Sequence, residues 1–303
     1  MTTKASPMKL DAVGSKGGVS RRWGKVAVEV VGIFLFLLFM VPFWLVILNS
    51  AKGAAEIINQ GPVTWPADWG QMWVNIVKIF NNPTTDYVGA FFDSVIITVV
   101  SLAVILLFSA MCAWVLVRNK TRWSTIVFLA FVAAMVIPFQ VVMFPLVRWL
   151  RILGTSVGVP LLGTYQGIAF AYLGFGCSMS VFILHGFIKG VPLELEEAAT
   201  IDGCGQTSTF FRIVLPLLQP VAVTVLILNG IWIWNDYLLP LLVLGSNGAV
   251  QTIPLAVTAF VGSYLKQWDL ILTSAMLAML PIIVLFLFAQ KYIIKGMVEG
   301  SIK

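Results

Sequence analysis

An all-α integral membrane protein with six crossing helices is the fold class this sequence predicts, on three observations. Of its 303 residues 59% are hydrophobic and only 11% charged, with a mean hydropathy of +0.97. Ordinary globular chains carry about 25% charged residues, so most of this surface cannot face water. Long apolar runs recur along the chain, each able to supply the roughly 20 residues that one crossing needs. The roughly ten-residue alternating segments of a β-barrel are absent. A helix, by contrast, satisfies every backbone hydrogen bond within the segment. Soluble and disordered chains are excluded.

Residues 1–26 are polar and hold six basic residues, Lys4, Lys9, Lys16, Arg21, Arg22 and Lys25. They read as a disordered basic tail, leaving 27–303 as one six-helix transmembrane domain. The first apolar run, 26–48, exceeds the 7–15 residues of a signal-peptide core and lacks an A-x-A site, so it reads as an uncleaved span. The other five runs lie at 90–117, 125–147, 165–187, 221–244 and 271–294.

Six crossings put both termini on one side. The tail, Arg118, Lys120, Arg122, Lys189, Arg212, Lys291, Lys295 and Lys303 then place fourteen of the 19 basic residues on that side. Lys52, Lys78, Arg148, Arg151 and Lys266 fall opposite. The positive-inside bias puts both termini in the cytoplasm of a multi-pass cell-membrane protein. It also explains the pI near 9.3 without nucleic acid as a partner. The outer stretch 49–89 carries Trp65, Trp69 and Trp73, read as an aromatic belt at the lipid interface or as a partner contact. Cys112, Cys177 and Cys204 have neither CxxC spacing nor clustered partners, so no metal site or disulfide framework is expected. His185, at a helix end, reads as interfacial filler.

The cytoplasmic segment 186–219 differs from the rest. After Pro192 come Glu194, Glu196 and Glu197, acids that suit a first helical turn. Leu195, Ala198, Ala199 and Asp202 follow helical spacing, and the two alanines make that face flat enough for close approach. Gly203 is a natural helix stop. Thr207 or Ser208 can cap a second short helix bearing Phe210, Phe211 and Ile213, closed by Pro216. This helix–turn–helix carries four acids against two basic residues, and anionic lipid would repel it. It reads as a docking element for another protein.

At this point a resemblance becomes specific. Glu197-Ala198-Ala199, Asp202-Gly203, Phe210, Ile213, Leu215 and Pro216 resemble the coupling loop of permease subunits in binding-protein-dependent ATP-binding-cassette importers. The chain from 27 to 303 is similar to the MalG-like permeases of carbohydrate importers. Pro192, the Trp234-Asn235-Asp236-Tyr237 segment before Pro240, and the ending Gln290-Lys291-Tyr292-Ile293-Ile294-Lys295-Gly296-Met297 carry that narrower likeness. The sequence departs from the pattern at Cys204, Gly205 and Leu239.

The resemblance implies a MetI-like permease fold and a subunit that is not itself an enzyme. It implies a second, MalF-like permease, two nucleotide-binding subunits that hold ATP and magnesium, and an extracytoplasmic solute-binding protein. No G-x-x-x-x-G-K-[ST] phosphate loop occurs in the sequence, and this chain is expected to bind no cofactor of its own. The implied coupling residues are Glu194, Glu197, Ala198, Ala199, Asp202, Gly203, Phe210, Ile213 and Pro216, with Glu197 as polar anchor.

For the solute path, an ionisable residue inside a span is a functional candidate by default. Asp236 stands in the fifth run with Asn235, Trp232, Trp234 and Tyr237, aromatic and hydrogen-bonding groups that suit a sugar. Asn229 and Gln140 are further path candidates, and Pro138 and Pro145 should loosen the third span. Two readings of Asp236 stay open: contact with the sugar, or ordering of a helix end. A permease for another solute class, such as peptides or amino acids, is the alternative. A proton- or sodium-driven carrier is disfavoured, because the span centres hold almost no acids.

Overall fold

A computed structural model describes residues 18–246, 248–261 and 266–301. In chain order the helices are α1 (Gly18–Ser50), α2 (Ala54–Gln60), α3 (Gln71–Phe80), α4 (Tyr87–Arg118) and α5 (Arg122–Ala134). Then follow α6 (Phe139–Val157), α7 (Tyr165–Ile188), α8 (Glu194–Ile201), α9 (Gln206–Thr209) and a π-turn over Phe210–Val214. The last five are α10 (Leu215–Leu217), α11 (Gln219–Asn235), α12 (Leu238–Val243), α13 (Ile253–Thr258) and α14 (Trp268–Ser301).

Among the described residues four helices, α1, α4, α7 and α14, contain an unbroken stretch long and apolar enough to cross a membrane. The other two expected crossings are bent pairs. The third breaks between α5 and α6 with a bend of 108°. Pro138 lacks an N–H and drives Ile137 out of the helical region, so one helix stops and another begins. Pro145, by contrast, is carried inside α6. The fifth bends by 76° where α9, the π-turn and α10 meet α11, next to Pro216 and Pro220. It also ends at Asn235, short of the expected 244. The Asp236 carboxylate accepts the N–H groups of Leu238 (3.0 Å) and Leu239 (3.5 Å) and so starts α12 afresh. At the amino end α1 begins at Gly18, inside the stretch expected as a polar tail; residues 1–17 lie outside those described.

The centre of the molecule is the pair α4 and α7, with α11 and α5 against α7. Small residues let the backbones close up: Ser101, Ser109, Ala110 and Ala113 on α4 meet Gly176, Ser180 and Val181 on α7, all buried. Toward one end Ile97, Leu150, Ile168, Tyr172, Ile233 and Val243 form one apolar cluster. Toward the other, Ala113, Leu184, Ile188, Phe210 and Leu218 form a second. A third joins Ile79 of α3, Tyr87, Ala256 and Leu270. Beside the second cluster Phe128 of α5 stacks on the buried His185 ring, the ring centres 3.8 Å apart.

Helix α1 stands apart. Its apolar side chains from Val26 to Val41 are exposed all round, Phe34 at 63% and Phe39 at 69%. It engages the rest only near its carboxyl end, chiefly α14 and α3. There Ser50 Oγ donates to Met276 Sδ (3.2 Å), and Thr273 Oγ1 donates to the Ser50 carbonyl (3.2 Å).

Beside it Lys52, counted among the five basic residues of the opposite side, is fully buried. Its ammonium donates to Asn49 Oδ1 (3.0 Å), the Gly61 carbonyl (3.1 Å) and Thr64 Oγ1 (3.1 Å). Asn75 Nδ2 of α3 donates to the Ser50 and Lys52 carbonyls (3.0 and 2.9 Å), completing a polar knot. Three satisfied donors are what lets a charge stay so deep. Lys52→Met leaves Asn49 Oδ1 buried without its donor, while the Gly61 carbonyl keeps the Thr64 hydroxyl (3.1 Å), and should cost about 2 kcal/mol. Thermal unfolding of the purified chain in detergent checks this; an unchanged midpoint contradicts the knot.

Candidate functional site

The acidic helix–turn–helix hangs from the carboxyl ends of α4 and α7. Helix α8 carries Glu194, Glu196 and Glu197 in its first turn, the arrangement favoured by the helix dipole. It stops in a Schellman turn: the Gly203 N–H meets the Thr200 carbonyl at 3.1 Å, and the Cys204 N–H meets the Ala199 carbonyl at 2.9 Å. Gly203 sits at φ +84°, a conformation L side chains rarely adopt. Gly205, not Thr207 or Ser208, then occupies the cap position of α9.

The expected flat face divides. Ala199 is buried at 4% and Ala198 is exposed. The two are about 100° apart round the helix, and the boundary between protein and outside falls between them. Glu194, Glu197 and Asp202 are exposed, as are Leu193, Leu195 and Ile201, the last at 86%. The outward surface is therefore acidic and apolar at once. Beneath it Phe210 is buried under Trp114, ring centres 5.5 Å apart, while Phe211 is exposed and Ile213 half-buried. Pro216 is exposed at the foot of the bend.

The acid that faces the protein is Glu196. Its Oε1 accepts from Arg118 Nε (2.9 Å) and Nη2 (2.7 Å), and its Oε2 accepts from Trp114 Nε1 (2.9 Å). Arg118 Nη2 also donates to the Val191 carbonyl (3.1 Å). Sequence reasoning passed over this trio. Three acids within four residues look alike on paper, and only the facing surface decides which one turns inward. Trp114 and Arg118, four apart on the last turn of α4, were the available signal. Between α4 and α8 lies a groove of about 520 Å³ whose walls include Val115, Asn119, Thr200 and Cys204.

The path candidates are not gathered into one pocket. Asn229 is buried at 4% between helices, its Nδ2 donating to Ser180 Oγ (3.0 Å) of α7 and to the Val225 carbonyl (2.9 Å). Trp232 stands edge-on to Tyr172 at 5.4 Å, with part of its ring exposed. Trp234 turns to the other side and donates from Nε1 to the Ala278 carbonyl of α14 (3.2 Å). Asn235 is exposed beside it, and both line a hollow of about 310 Å³ with Ile253, Pro254 and Met279. Asp236 caps α12 and accepts from the Tyr172 hydroxyl (3.2 Å), which is the helix-ordering arrangement. Tyr237 and, on α6, Gln140 are exposed.

At the far end of α4, Asp93 holds a second cross-link. It accepts from the Tyr165 hydroxyl of α7 and from the Gln251 N–H (2.9 Å), while Ser94 Oγ accepts the Ile253 N–H (2.8 Å).

Comparison with known proteins adds four findings. Residues 105–299 match the family described as binding-protein-dependent transport system inner membrane component. The chain is 38% identical over 279 residues to the probable starch degradation products transport system permease protein AmyC of Thermoanaerobacterium thermosulfurigenes, covering 92% of this chain and 97% of that one. It is 31% identical to the multiple sugar-binding transport system permease protein MsmG of Streptococcus mutans, over 93% and 96% of the two chains. Among solved structures it superposes on a chain of a bacterial ABC transporter involved in import of the acidic polysaccharide alginate. That match has a TM-score of 0.71 at 19% identity and covers 95% of this chain and 99% of that one. At that identity the likeness speaks for the fold.

Proposed function

This chain belongs to the family of binding-protein-dependent transport system inner membrane components, a multi-pass membrane family, and from that premise we propose that it is half of the translocation path of an ATP-driven importer of sugars or oligosaccharides. The relatives named for starch products and for multiple sugars support the solute class. One observation carries the coupling role: α8 presents Glu194, Glu197 and Ala198 outward on an element pinned from behind by Glu196. A pinned, acidic and apolar surface is what a nucleotide-binding partner could grip in a cleft. Ala198 allows close approach, and Glu197 supplies the outward charge.

In this reading ATP and magnesium sit on the partner subunits. A second permease of similar fold covers the open apolar faces, and an extracytoplasmic binding protein delivers the solute. ATP-driven closure of the partners moves the docked helices and opens the path outward; hydrolysis reverses it. Both termini lie in the cytoplasm, on the positive-inside bias. Copurification with a nucleotide-binding subunit tests the reading. Mass spectrometry of the ligand on the binding protein tests the solute class, and a peptide or amino acid found there would overturn the sugar assignment.

For the path, the exposed Trp232, Tyr237 and Gln140 are the contacts we favour, with Asp236 ordering the turn behind them and Asn235 in the separate hollow against α14. Trp232→Ala should lower uptake about tenfold at unchanged surface level, the loss expected of an aromatic binding platform. Asn229→Leu removes one buried bond to Ser180 and should cost about 1 kcal/mol of stability without changing uptake per molecule. The opposite pattern in a surface-normalised uptake assay would move the path to Asn229.

A further inference from the structure

We propose that Arg118, bracketed with Glu196 and Trp114, is the positioning residue through which movement of α8 reaches the membrane-spanning helices. The proposal rests on the importer reading above and names the residues inside this chain that make the coupling.

Helix α8 is short and enters and leaves through irregular chain. Its buried side chains are Glu196 and Ala199. Ala199 offers a methyl group, which resists pushing but not pulling or sliding. Glu196 offers directional bonds on both oxygens, filled by a guanidinium fork and an indole N–H. The ion pair is largely withdrawn from water, with side-chain exposures of 20% for Arg118 and 10% for Glu196. Arg118 also holds the Val191 carbonyl, where the chain passes from α7 to α8, so it grips the loop twice. Trp114 extends the bracket to Phe210 and thereby to the π-turn that leads to α11.

The bracket ends a continuous rod. Helix α4 has no proline and no break between Tyr87 and Arg118. Asp93 and Arg118 are 25 positions apart, about 37 Å along the helix axis at 1.5 Å per residue. Asp93 at the other end is bonded to the Gln251 N–H in the segment before α13 and to Tyr165. A displacement imposed on α8 therefore arrives at the segment around Gln251 without a flexible joint in between. A buried ion pair is weak evidence for stability, since an apolar pair of similar volume holds a fold as well. A fork that fixes direction is suited to transmitting motion.

The test uses the whole importer, reconstituted in liposomes with its binding protein, with ATP hydrolysis and uptake of ¹⁴C-labelled maltooligosaccharides followed in parallel. R118M is expected to retain the ATPase subunits and to hydrolyse ATP within about twofold of the unsubstituted complex, while sugar moved per ATP falls about tenfold. R118K, which keeps the charge but not the fork, should fall between. R118M/E196M should be no worse than R118M, because two residues acting as one unit do not add. Parallel loss of hydrolysis and uptake, an unchanged ratio, or an additive double variant would each overturn the assignment. If R118M does not accumulate, Trp114→Phe, which removes one N–H, carries the same ratio test. Failure of the importer reading shows elsewhere, as an unsubstituted complex that retains no ATPase subunit, and it overturns both.

Discussion

Replacing Gly203 with valine is expected to abolish uptake by the proposed importer while the chain still folds and inserts. The residue lies at φ +84° in open space, with no atom within 4 Å of an added Cβ. Crowding therefore plays no part, and the penalty is conformational. A β-branched residue in the left-handed region is disfavoured by at least about 1–2 kcal/mol. The chain escapes by unwinding the turn and losing the Gly203–Thr200 and Cys204–Ala199 bonds that fix where α8 ends. Nothing in the bilayer depends on that turn. Surface level should stay normal while uptake drops to background. The graded series separates this cause from others. Asparagine, which tolerates the left-handed region, should keep most activity, alanine less and valine none. Uptake normalised to surface level measures it, and equal activity of all three would refute the backbone account.

Gly176→Leu should act at the opposite end of the scale, on the fold itself. An added Cβ would lie 2.6 Å from Ile105 Cδ1 and 2.8 Å from Asn229 Oδ1, where α4, α7 and α11 meet. Ile105 and Asn229 are both buried, so neither has room to withdraw. Overpacking at such a crossing costs about 3 kcal/mol, and three helices must part to relieve it. Gly174, two residues earlier on the same helix, has nothing within 4 Å of an added Cβ. Gly174→Leu is the control and should leave the detergent melting midpoint within a degree or two of the parent, whereas Gly176→Leu should lower it by about 5 °C or more. Equal midpoints would mean that the crossing is looser than described.

The uninterrupted helices α1, α4, α7 and α14 were legible because an apolar run of sufficient length has one stable form in a bilayer. The broken ones were not. Pro138 announced a loosened helix, but composition cannot distinguish a kink from a 108° bend. Asp236 was read as a residue within a span, yet its carboxylate competes for backbone N–H groups and ends that span. The loop was legible in outline, including the stop at Gly203. Its orientation was not, since Glu196 and Glu197, or Ala198 and Ala199, are neighbours that only the opposing surface separates. The depth of Lys52 was not legible for a related reason: counting charge assigns a side of the membrane, not a depth in the protein.

The attachment of α1 carries a consequence for how the molecule is made. It is the first of the described helices, and beyond Asn75 of α3 its anchoring contacts are to Thr273 and Met276 on the last. Throughout synthesis of the intervening helices it waits in the bilayer with no counterpart in its own chain at those positions. Its anchor is completed only when the final segment arrives, more than two hundred residues later. A chain cut short before Thr273 would hold a packed centre and a first helix moored only through Asn75 of α3. Quality control during insertion would then meet that loose end before it met any fault in the middle.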